Sequence, residues 1–118
     1  MVKQSLTRAF NNAFVGIVYC VIHERNMKIH IVFAILAECL AWQLQLDRDE
    51  MLILLLTISS VLITEMMNTV VEAVVDIVSP EIHPLAKVAK DVAAGAVLIA
   101  TLNSLLVGYL LFGDKLWR

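Results

Sequence analysis

Residues 92–113 read VAAGAVLIATLNSLLVGYLLFG, a run without a single charged side chain. As a helix it would extend about 33 Å, enough to cross a hydrocarbon core of about 30 Å. Working backwards, residues 51–64 (MLILLLTISSVLIT) are equally uncharged and continue into ITEMMNTVVEAVVD at 63–76. Residues 29–46 (IHIVFAILAECLAWQLQL) form a third apolar stretch, interrupted by Glu38. Composition agrees. Hydrophobic residues make up 60% of the 118 and charged residues 17%, and the mean hydropathy is +0.83. A soluble domain is nearer half apolar and a quarter charged. So short a chain cannot hide that much apolar surface within itself. The expected architecture is an all-α integral membrane protein forming one domain over 1–118. Its transmembrane helices are expected at about 29–46, 49–78 and 84–113.

The connections are short. DRDE at 47–50 reads as a hairpin turn, with Asp47 or Asp49 capping the helix that follows. In SPEIHP at 79–84, Pro80 ends one helix and Pro84 suits the start of the next. Ahead of the spans, Phe10, Phe14, Ile17 and Val21 fall on one helical face. That pattern predicts an amphipathic helix over about 3–23 lying in the membrane surface, against the alternative of an outer helix in a soluble bundle. No signal peptide precedes it. Lys3, Arg8, Arg25 and Lys28 precede the first span, and Lys87 and Lys90 sit between the second and third. Only Arg48, Lys115 and Arg118 fall on the other side, so the positive-inside rule places the N-terminus inside and the C-terminus outside.

A net charge of −2 argues against a broad nucleic-acid surface. Cys20 and Cys39 lie apart in apolar stretches, without the spacing of a zinc site or disulfide framework. His23, His30 and His83 match no metal motif and read as interfacial or capping residues. Asn103 and the small residues 93–96 suit helix packing.

The acidic groups carry the chemistry. At about 100° per residue, Glu65, Asn68, Glu72 and Asp76 share a stripe about 80° wide. Glu65 lies about 16 Å deeper than Asp76. Ionisable groups at membrane depth are functional candidates. Glu24, from HERN at 23–26, and Lys90 and Asp91, from the third span, reach the same cytoplasmic layer. Carboxylates suit Mg²⁺ shared with substrate phosphates, and a lysine suits the phosphates. A deep carboxylate such as Glu65 suits general-base work on a lipid hydroxyl. Phosphoryl transfer from a nucleotide to a lipid alcohol needs these parts. Each group also has a plainer role: Asp76 and Lys90 as a pair closing a helix hairpin, Glu72 as a solvated flank. Glu38 has no evident partner in the sequence.

ERN at 24–26, the pattern E-x-x-N-T-x-x-E-x-x-x-D across Glu65 to Asp76, and HPLAKVAKDVAAGAV at 83–97 together resemble the prokaryotic integral-membrane diacylglycerol kinases. The Gram-positive, undecaprenol-phosphorylating branch is the nearer likeness, and the match runs over nearly the whole chain. The resemblance implies a homotrimer in the bacterial cytoplasmic membrane. Each subunit would have three membrane helices and a surface helix, with MgATP-dependent sites shared between subunits at the cytoplasmic face. It implies Glu65 as catalytic base and substrate contact, Asn68 as its polar neighbour, and Glu24 and Glu72 as metal ligands that also face the nucleotide. Asp76, Lys90 and Asp91 would contact the phosphates, with Glu81, His83 and Asn12 near the nucleotide. Glu38 departs from the apolar residue usual in the first span. The expected reaction is phosphorylation of undecaprenol. Diacylglycerol phosphorylation, a small proton or ion conductor using Glu38, Glu65 and Glu72, and a structural adaptor stand as alternatives.

Overall fold

The protein is described over residues 5–117 by a computed structural model. Its order is α1 (Leu6–His23), α2 (Arg25–Gln43), α3 (Arg48–Val78) and α4 (Pro84–Leu116). Lys3 and Arg118, counted above for orientation, lie outside the described residues, as does the start of the expected surface helix.

Local chemistry sets the ends. Ser5 caps α1 by accepting from the Arg8 amide. Glu24 then breaks the chain in an extended conformation (φ −101°, ψ 114°), so that α2 starts afresh. Helix α2 begins at Arg25, ahead of the apolar stretch, and ends at Gln43, before it runs out. Gln45 follows with φ 54°, and Leu46 donates back to the Ala41 carbonyl at 3.2 Å. That is a Schellman-type stop, with glutamine where glycine is usual. The turn therefore falls at 44–47, and Arg48–Glu50 form the first turn of α3. A capping box fixes this start. Asp47 accepts from the Glu50 amide at 2.9 Å, and Glu50 accepts from the Asp47 amide at 3.1 Å. His83 Nδ1 caps α4 by accepting from the Leu85 amide, with Pro84 in the first turn.

The dominant packing is the antiparallel pair α3–α4. Lys90 bonds Asp76 at one end (2.6 Å) and Lys115 bonds Glu50 at the other (3.1 Å). The register at the two ends agrees to within one residue, so the hairpin runs without a slip. Helix α3 faces its neighbours along Leu54, Thr57, Val61, Glu65 and Asn68. These fall at heptad-like spacing, the seam of a helix packed nearly parallel to its partners. Helix α2 answers with Met27 and Ala41 buried and His30, Ala34 and Ala37 half-buried between them. Among the described residues only eight are buried, and α4 contributes none of them.

The remaining surface is apolar. Leu56, Ile99 and Leu105 are 68%, 72% and 66% exposed. Helices α3 and α4 are long and apolar enough to cross a membrane. Helix α2 is 19 residues long and holds Arg25, Lys28 and Glu38, and it does not meet that standard by composition. On α1 the stripe Phe10, Phe14 and Ile17 stays exposed, as an interfacial helix requires.

Candidate active site

In a low-dielectric helix, hydroxyls must find partners close by. Here they bond the preceding turn: Thr57 to Ile53 O (2.7 Å), Ser60 to Leu56 O (2.9 Å), Thr64 to Ser60 O (2.9 Å) and Thr69 to Glu65 O (3.1 Å). Against that background three buried side-chain atoms lack any hydrogen-bond partner among the described residues. They are Glu65 Oε2, Asn68 Oδ1 and Glu38 Oε1. Two of the three are neighbours on one face of α3.

Glu65 is 1% exposed, a carboxylate sealed into the helix seam. His30 Nε2 of α2 stands 3.7 Å from its Oε2. One turn on, Asn68 is buried and donates its amide to Glu72 Oε1 at 3.2 Å. Glu24 is half-buried where α1 meets α2, and Lys90 of α4 bonds Asp76 one turn beyond Glu72. Glu24 sits at the α1–α2 break with no side-chain capping bond, and among the described residues its carboxylate has no hydrogen-bond or ion-pair partner. The fold thus lines Glu65, Asn68, Glu72 and Asp76 along α3, with Lys90 of α4 on Asp76 and Glu24 at the α1–α2 break. The seam is uncharged from Leu54 to Val61 and carries Glu65 and Asn68 beyond.

The other candidates stand apart. Asp76 and Lys90 do form the hairpin-closing pair, yet Asp76 is exposed and Lys90 half-exposed, and such pairs contribute little to stability. The lysine can therefore exchange its partner for a phosphate at small cost. Asp91 pairs with Lys87 within α4 at 2.6 Å, out in solvent. Glu81 is exposed in the α3–α4 connection. His83 spends Nδ1 on the helix cap, leaving Nε2 free to turn outward. Asn12 is exposed on α1, on the side of no described partner. His30, read from the sequence as an interfacial or capping residue, instead sits half-buried within α2 and faces Glu65. Its spacing from Met27, Ala34 and Ala41 on the α2 seam was the available signal.

A Mg²⁺ ion can be tested against this set. Among the described residues no three metal-binding side chains form a cluster. Mg²⁺ that bridges nucleotide phosphates needs only one or two protein carboxylates and keeps several waters. Glu24 is free and Glu72 has one oxygen unspent, so the pair fits a phosphate-bound ion rather than an all-protein cage.

Fold and site together define an all-helical chain with two membrane-competent helices and an acidic stripe along the C-terminal half of α3. A profile of the prokaryotic diacylglycerol kinases matches residues 11–112, and the chain belongs to that family. It is 39% identical over 108 residues to a diacylglycerol kinase of Synechocystis, covering 91% of this chain and 62% of that one. It is 38% identical over 93 residues to an undecaprenol kinase of Bacillus subtilis, covering 79% and 76% respectively. With a diacylglycerol kinase of Escherichia coli K12 it shares 37% over 79 residues, 67% of this chain and 65% of that one. The chain thus spans a little under two thirds of the first and third of these relatives.

Proposed function

We propose that the protein is an ATP-dependent lipid kinase that transfers the γ-phosphate of ATP to the hydroxyl of undecaprenol. The observation that carries this is Glu65: a buried carboxylate with an unpartnered oxygen, beside Asn68 and Glu72, in a chain of this family. Glu65 takes the proton of the lipid hydroxyl. The freed oxygen forms a bond to the γ-phosphorus, the bond from that phosphorus to the bridging oxygen breaks, and ADP leaves. Asn68 holds Glu72 in place. Glu24 and Glu72 hold Mg²⁺, which when bound neutralises phosphate charge. Lys90 releases Asp76 to clamp a phosphate, with Asp76 and Asp91 bordering the clamp. Glu81, His83 and Asn12 flank the nucleotide.

Three spans fit this role. Helix α2 is about 28 Å long and returns antiparallel to α3 through a tight turn, so it crosses despite its charges. Its Glu38 has a buried, unpartnered oxygen, which a neighbouring subunit of a homotrimer would satisfy. The N-terminus is then cytoplasmic, and the site lies at the cytoplasmic face of the bacterial inner membrane.

Diacylglycerol as acceptor is the second reading, favoured by the names of the Synechocystis and Escherichia coli relatives. Undecaprenol is preferred because the Bacillus subtilis relative aligns over 76% of its length and HPLAKVAKD at 83–91 follows that branch. The test is transfer of label from γ-labelled ATP to undecaprenol and diacylglycerol offered together in lipid. Preferential labelling of undecaprenol is expected. Preferential labelling of diacylglycerol reverses the acceptor. Labelling of neither would leave the conductor or adaptor reading.

A further inference from the structure

The buried oxygen of Glu65 has an imidazole aimed at it. The gap of 3.7 Å between His30 Nε2 and Glu65 Oε2 is longer than a hydrogen bond. It is too short to hold a water in line between them. A shift of under about 1 Å by either side chain closes it. His30 is itself only 15% exposed. It also lines an open groove of about 270 Å³ between α2 and α4, together with Asn26, Ala94, Val97 and Thr101. Glu65 is not part of that lining. His30 therefore stands between the deep carboxylate and that groove.

We propose that His30 is a positioning residue for Glu65. In the reacting arrangement its Nε2–H donates to Oε2, fixes the carboxylate rotamer and leaves Oε1 for the acceptor hydroxyl. Glutamate has three rotatable side-chain bonds, and an unheld carboxylate in a low-dielectric seam is both costly and poorly aimed. A neutral donor suits the task better than lysine or arginine. A cation at this distance would lower the basicity that proton abstraction needs. The simpler possibility is that His30 only fills the α2–α3 seam between Met27 and Ala34. The proposal rests on Glu65 being the base.

The test compares His30→Leu, which keeps volume, with His30→Gln, which keeps an N–H donor. Acceptor turnover and KM for MgATP are measured for both in the same lipid. The leucine variant should lose about 10- to 100-fold in kcat, the range for a hydrogen bond to a charged group, with KM for MgATP unchanged. The glutamine variant should recover most of that loss. On a Glu65→Gln background, His30→Leu should cost nothing more. Equal losses in both His30 variants, or full multiplication of the two losses, would overturn the proposal. Histidine ¹⁵N NMR of the otherwise unaltered chain gives a readout that needs no His30 variant to fold. The His30 Nε2 resonance should report the Nε2–H tautomer and move on Glu65→Gln, and an unmoved resonance would also overturn it. Wild-type turnover by Glu65→Gln would instead sink the assignment of the base, whatever the resonance does.

Discussion

Three carboxylates make up the proposed site, and their surroundings separate them. Glu65 is sealed and unpartnered at one oxygen, Glu72 is half-buried and accepts from Asn68, and Glu24 sits uncommitted at a helix break. A base and a metal ligand should fail differently. Glu65→Gln should leave MgATP affinity nearly intact while single-turnover rate falls by roughly 10²-fold or more. Glu72→Gln and Glu24→Gln should weaken MgATP binding, and raised Mg²⁺ should recover part of the rate. Nucleotide affinity and single-turnover rate, measured for the three in one lipid, check this. Equal loss of affinity in all three would make Glu65 another ligand.

At the scale of elements, α3 joins two environments. Its seam begins with Leu54, Thr57 and Val61 and ends with Glu65 and Asn68, so one heptad-like stripe serves as packing surface and then as site. The α2–α3 turn governs the phase of that stripe, because rotating α3 would aim Glu65 at lipid. Gln45 makes this turn at φ 54°, where a side chain is strained and glycine is not. Gln45→Gly should therefore raise stability by about 0.5–1 kcal/mol, the relief of left-handed strain less the extra freedom of the unfolded glycine. Thermal unfolding in a mild detergent measures it. A lower Tm would mean that the glutamine side chain makes contacts worth more than the strain.

At the scale of the whole molecule, much surface is left uncovered among the described residues. Helix α4 buries no residue, the α1 stripe is bare, and Glu38 keeps an orphaned oxygen. Lipid can cover leucines but offers nothing to a buried carboxyl group. Partner subunits of the proposed homotrimer would, and they would also close the side of the proposed site that α1 leaves open. Mixing Glu65→Gln subunits with Lys90→Ala subunits should then restore part of the activity that each lacks alone. Turnover of the mixed oligomers against each pure variant checks this, and absence of rescue would assign each site to one subunit. Orientation is tested separately. Single cysteines at positions 48 and 85, in a chain without Cys20 and Cys39, should label from opposite sides of the membrane. Labelling from one side would end the hairpin crossing by α3.

What the sequence by itself determined was everything carried by short-range rules. Apolar run length, the proline pair at 80 and 84 and the acidic cap at 47 marked α3 and α4, because helix geometry and capping act within a few residues. The common stripe of Glu65, Asn68, Glu72 and Asp76 was legible for the same reason, since the helical repeat alone brings such residues to one face. The end of α2 was less legible. Whether a helix stops at Gln43 or runs to Leu46 depends on a left-handed glutamine that local preference disfavours. Only the tertiary structure decided that Glu24 lies free at a break, that Asn68 is spent on Glu72, and that His30 faces Glu65 across the α2–α3 seam. Those facts depend on how two helices are rotated about their own axes when they meet. That rotation is chosen by the packing of both seams together, so it cannot be read from either stretch alone.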